Sequence, residues 1–192
     1  MIAMSVHECA HSWVAYKLGD TTAKYAGRLT LNPLAHIDPL GTVLLPIFIF
    51  LITGGRFVFG AAKPVPINYH LLRNPKRDTI WIGLSGPASN FLFAFILSII
   101  NNFINPQPIL GFVFENLIAI NVILGVINLI PIPPLDGSRI VMGILPLDLA
   151  YRYAKVEPYG FFILMLLMML GVFDILIWPV TKLILGWLNI SF

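Results

Sequence analysis

Charge is scarce in this sequence. Only 11% of its 192 residues are Asp, Glu, Lys or Arg, where a soluble domain carries roughly a quarter. That shortage excludes a soluble enzyme. The net charge of +3 comes from short basic clusters between apolar runs, so it marks topology and not a nucleic-acid partner. A single cysteine, Cys9, excludes an intrachain disulfide. Four histidines in all are too few for a di-iron membrane oxygenase, which needs several histidine pairs. No internal repeat or low-complexity linker breaks the chain. No cleavable signal peptide is expected either, because the first helix carries polar chemistry of its own.

Apolar residues make up 58% of the chain, and the mean hydropathy is +0.86. These values describe an integral membrane protein with several spans. The expected fold is an all-α bundle of about four to six transmembrane or re-entrant helices. Residues 1–192 read as a single domain, with no room for a sizeable soluble one.

Within the first apolar stretch stands His7-Glu8-Cys9-Ala10-His11. On a helix, histidines four apart share a face and can bind one zinc ion, and Glu8 beside them can reach a water in the open position. Two surface histidines with a neighbouring acid would be the plain alternative. In an apolar helix, however, such groups are costly without a partner, and a metal supplies one. Cys9 points away from that face and reads as packing.

Residues 1–18 are expected to be helical, capped by Gly19. The basic residues Lys17, Lys24 and Arg28 place this end in the cytoplasm, with the metal ~10–15 Å below the surface. Ahead of His7, six residues give only ~9 Å of helix. Either Met1 is an internal start with more helix ahead of it, or the span is short and the bilayer thins around it. Residues 21–39 have strand and turn character; His36 and Asp38 there either lie near the metal or, the preferred reading, cap turns. Residues 40–62 are read as entering and returning, Phe57 to Pro66 coming back extended, because a single crossing would put the basic loop 63–78 outside. Residues 79–104, 109–130 and 159–178 read as spans, and Asp174 marks a bend or an interface. Asn90 is open between an interhelical hydrogen bond and a part in the site. Asp136 follows Pro131, Pro133 and Pro134 on an irregular segment. Either Arg139 neutralises it, or it is the third metal ligand.

HECAH (His7–His11), GPASN (Gly86–Asn90) and NLIPIPPLDG (Asn128–Gly137), in that order, resemble the site-2 protease family of intramembrane zinc metalloproteases. GRLTLNPLAHIDPLGT (Gly27–Thr42) and AKPVPIN (Ala62–Asn68) are similar to its small prokaryotic members without a PDZ or CBS domain. The resemblance implies one Zn²⁺ on His7, His11 and Asp136, with Glu8 as general base. It assigns Asn128, and less directly Asn90, to the substrate backbone or the oxyanion. It implies a small cytoplasmic-side β element near the site, where Arg28–Leu31 or Val65–Asn68 would take an unwound substrate as an added strand. It also implies a transmembrane protein substrate, the lipid bilayer, a regulatory membrane partner of unknown identity, and a prokaryotic cell membrane with the site toward the cytoplasm. A catalytically silent homologue that binds transmembrane segments is the rival reading. A metal transporter is the more distant one.

Overall fold

The computed structural model describes residues 1–52, 54, 55, 60 and 62–190. Nine α-helices lie among them: α1 (Ile2–Lys17), α2 (Thr22–Tyr25), α3 (Leu45–Ile52), α4 (Pro75–Ile104), α5 (Pro108–Asn128), α6 (Asp136–Ile144), α7 (Leu147–Ala154), α8 (Gly160–Met169) and α9 (Trp178–Trp187). The centre is the α4–α5 hairpin. Proline opens both helices, at the position where a missing N–H costs nothing. Asp78 in the first turn of α4 reaches back to the Asn74 N–H at 2.8 Å. Asn105 closes α4 in the left-handed region, at φ 45°. Ala94 and Leu97 of α4 pack with Ile118, Ala119, Val122 and Val126 of α5 and with Leu185 of α9 as the buried core. Many of the remaining large apolar side chains are exposed, including Phe95, Phe103, Phe112 and Phe162. Such a surface is stable only against lipid.

α1 packs on α4, and the two basic ends meet. Gly19 ends α1 at φ +115°, where a Cβ would come within 2.9 Å of the Leu71 carbonyl oxygen. The Arg73 N–H donates to Leu18 O at 3.2 Å. Fully buried Asp20 accepts from the N–H groups of Thr22 (2.9 Å) and Asn68 (2.7 Å). Thus the expected Gly19 cap is present, and Asp20 adds a tie that reaches 48 residues along the chain.

By length and composition, α4 and α5 can each cross a membrane, and α7–α8 with α9 form a bent pair that makes up to three. The expected span over 159–178 is therefore not continuous. Gly171, at φ +72°, breaks it between α8 and a π-helical turn at Phe173–Ile177, and the pair bends by 77°. Asp174 lies at that break, its N–H on Gly171 O. A π-helical turn at Pro39–Leu44 leads into α3. The Lys63 N–H donates to His36 O at 3.0 Å, so the chain that leaves at 37 is alongside again by 63. Much of the returning stretch expected from Phe57 lies outside the described residues.

The small β element is absent among the described residues. Among the described residues neither Arg28–Leu31 nor Val65–Asn68 has a strand partner. Arg28 donates its N–H to Ala23 O within a turn. Residues 62–68 run without regular structure, joined to the rest by isolated bonds and no ladder.

Candidate metal centre

α1 brings His7 and His11 to one face, and the first residue of α6 brings Asp136 to meet them. His7 Nε2 lies 2.9 Å from Asp136 Oδ2, His11 Nε2 lies 3.1 Å from the same oxygen, and the two Nε2 atoms are 3.0 Å apart. All three residues are buried, at 7%, 5% and 8% exposure. Each imidazole is fixed from behind. His7 Nδ1 donates to Asn90 Oδ1 at 2.6 Å, and His11 Nδ1 to the Ile82 carbonyl at 2.7 Å. Both acceptors demand the proton on Nδ1, so both Nε2 atoms present lone pairs. Two nitrogen lone pairs and a carboxylate oxygen then face one another across about 3 Å, which is repulsive unless a cation stands among them. Tetrahedral zinc with bonds of ~2.0–2.2 Å sets its ligands ~3.3–3.5 Å apart, close to these spacings. The donor set fits one zinc ion.

Gly86 explains how α4 comes so near. A Cβ at this position would lie 2.3 Å from His11 Nε2 and 2.6 Å from His7 Nε2, in the space the ion needs. Asn90, with 0% exposure, has its amide fully engaged: besides His7, it donates to Ala3 O (3.1 Å) and Asn121 Oδ1 (2.9 Å). Asn121 is in turn anchored on Leu117 O. The sequence reading missed Asn121, the Ile82 carbonyl and the seat at Gly86. A buried asparagine in an apolar helix was the available signal for Asn121. A backbone carbonyl leaves none.

A cavity of about 550 Å³ opens from the ligands. Glu8, Asn128, Val65, Ile67 and Arg139 lie on its wall. Asn128 donates to Leu124 O at 3.0 Å, within its own helix. Arg139 forms no ion pair with Asp136; its guanidinium donates to the Tyr69 hydroxyl. Burial pushes the Tyr69 phenol above the ordinary tyrosine range, so that hydroxyl stays neutral. His36 is buried on Thr30 O (2.9 Å), and Asp38 accepts from the Gly41 N–H (2.8 Å). Neither joins the ligand cluster, in keeping with their turn-capping role. Half-buried Cys9 is not on the cavity wall.

Two histidines and a carboxylate meeting among apolar helices define a membrane metalloprotein of the hydrolytic zinc type. The model of peptidase family M50 matches residues 105–171. "Putative zinc metalloprotease YwhC" of Bacillus subtilis is 35% identical, over 95% of this chain and 83% of its own length. "Putative zinc metalloprotease Rip2" of Mycolicibacterium smegmatis is 28% identical over 88% of this chain and 64% of its own. "Zinc metalloprotease MJ0392" of Methanocaldococcus jannaschii is 30% identical over 80% of this chain and 34% of its own. No solved structure matches the chain. The chain belongs to peptidase family M50, the site-2 protease family of zinc metalloproteases.

Proposed function

We propose that residues 1–192 form one intramembrane peptidase domain that cleaves peptide bonds of transmembrane substrates. The observation that carries this is the buried meeting of His7, His11 and Asp136 with Glu8 on the same cavity wall. A zinc ion bound by His7, His11 and Asp136 would supply a Lewis acid and would acidify a bound water. Glu8 takes the proton of the attacking water and returns it to the leaving amine. Asn90 acts on His7, keeping its Nε2 lone pair aimed inward, because its amide is spent on protein groups. Asn128, on the cavity wall, is assigned to the substrate backbone.

A helical substrate hides its peptide bonds and must unwind to be cut. Val65 and Ile67 line the cavity and make no backbone hydrogen bond to another described residue, so they offer a free edge. Arg28–Leu31 is not on that wall. Strand addition is therefore assigned to Val65–Asn68. The basic residues near the junction of α1 and α4, with no Lys or Arg from Asp78 to Ser138, favour a cytoplasmic site. The test is cleavage of a transmembrane reporter by purified protein, with zinc measured in wild type and Glu8→Gln. The expected result is cutting by wild type only, with about one zinc in each. Zinc-loaded protein that cuts no reporter would favour the silent reading.

A further inference from the structure

Among the described residues, the metal cavity has one fixed positive charge on its wall, Arg139. No carboxylate among the described residues pairs with it: the ion-pair contacts of Asp136 go to the two histidines. Its hydrogen bond is spent on a neutral phenol, over whose ring it lies at 6.0 Å. A guanidinium has five N–H donors, so most of this half-buried group is unanswered. Arg139 also lines a second cavity of about 560 Å³, which shares Val65 and Ile67 with the first as a common wall. Lys76 and Glu157 border that second space, so among the described residues two cations face one acid, with no ion pair between them. Pro75 and Lys76 belong to the end of α4 assigned above to the cytoplasm. A chain leaving the metal cavity on that side passes Arg139 first and Lys76 next.

We propose that Arg139 is a specificity-determining residue that binds a carboxylate of the substrate, an Asp or Glu side chain on the cytoplasmic side of the cleaved bond, with Lys76 extending the same preference outward. This deepens the protease reading and rests on it. Arg139 stands one turn of α6 beyond Asp136, ~5 Å of rise, and its arm adds roughly as much again. At ~3.3 Å per extended residue, the acid falls ~2–4 residues from the scissile bond. The planar fork of arginine suits a carboxylate. Most membrane segments carry Lys or Arg on their cytoplasmic flank. Those would meet like charge here, so the pair of cations also rejects.

The test walks a single Glu through the cytoplasmic half of one otherwise neutral transmembrane reporter. Binding is read on zinc-loaded full-length Glu8→Gln, and cleavage on wild type. Expected is a peak at one position, with about tenfold tighter binding and a matching fall in KM, weakened by salt. The peak should vanish with Arg139→Gln. With Arg139→Glu it should pass to a Lys-walked reporter. Glu157→Gln, an exposed position off the metal cavity, should raise it. A flat profile overturns the proposal, as does a peak that survives Arg139→Gln at normal zinc content. If Arg139→Gln loses zinc, a peak indifferent to both salt and Glu157→Gln overturns it. The protease reading fails separately: zinc-loaded wild type that shows the binding peak but cuts no reporter sinks that reading and leaves this one standing.

Discussion

The two walls of the metal cavity are built differently. On the ligand side the three metal-binding groups converge and the imidazoles are held from behind. Asp136 faces both histidines, each histidine is pinned from behind, and Asn90 is itself held by Ala3 and Asn121. On the opposite side, residues 62–68 hang between the Lys63–His36 bond, the Asn68–Asp20 bond and the Tyr69–Arg139 contact. Dense helix packing fixes the ligands before a substrate arrives, which is what preorganised chemistry requires. A wall held at a few points can shift to admit a chain. In the proposed reading the rigid half carries the chemistry and a side-chain contact at Arg139, while the loose half takes the substrate backbone.

Five substitutions break or sharpen that contrast. Glu8→Gln is the largest: cleavage should fall by about 10²–10⁴-fold while zinc content, read by atomic absorption, stays level. Gly86→Ala attacks the rigid side by filling the seat of the ion, and should leave purified protein with little zinc. Its helix content by circular dichroism should hold, since alanine favours helix. Asn90→Ala removes the brace behind His7. Zinc affinity, measured by competition with a chelator, should drop by about 10–100-fold, and Asn121→Ala should give a weaker version of the same loss. Asp20→Ala acts on the loose side alone. Protease sensitivity should rise near residues 62–68, KM should increase several-fold, and zinc should remain bound. Zinc loss with Asp20→Ala would mean the two walls are coupled and the contrast is wrong.

The ligand set was legible because its signals are side-chain identities at fixed spacing: His7 and His11 four apart, and Asp136 on a proline-bounded segment. The Gly19 cap was legible because helix ends have a local chemistry. The role of Asn90 was not, since an asparagine in an apolar helix looks the same whether it braces a ligand or joins two helices. Ile82 acts through a carbonyl that every residue possesses. Gly86 was visible only as one of several small residues, because the distance between α1 and α4 decides what its missing side chain makes room for. Hydropathy could not detect the break at Gly171, as an apolar helix tolerates a single glycine without changing its average. The β element failed for a related reason: strand-like residues at 28–31 and 65–68 form no sheet without a partner at the right distance.

His11 and Asp136 lie 125 positions apart. At about 5–20 residues per second, a ribosome needs roughly 6–25 s to pass from one to the other. During that interval the nascent chain carries the two imidazole ligands without the Asp136 carboxylate that completes them. Metal capture by all three ligands must wait until α4 and α5 have been made. A hydrolase assembled in that order lacks its complete ligand set while the α4–α5 hairpin is being made.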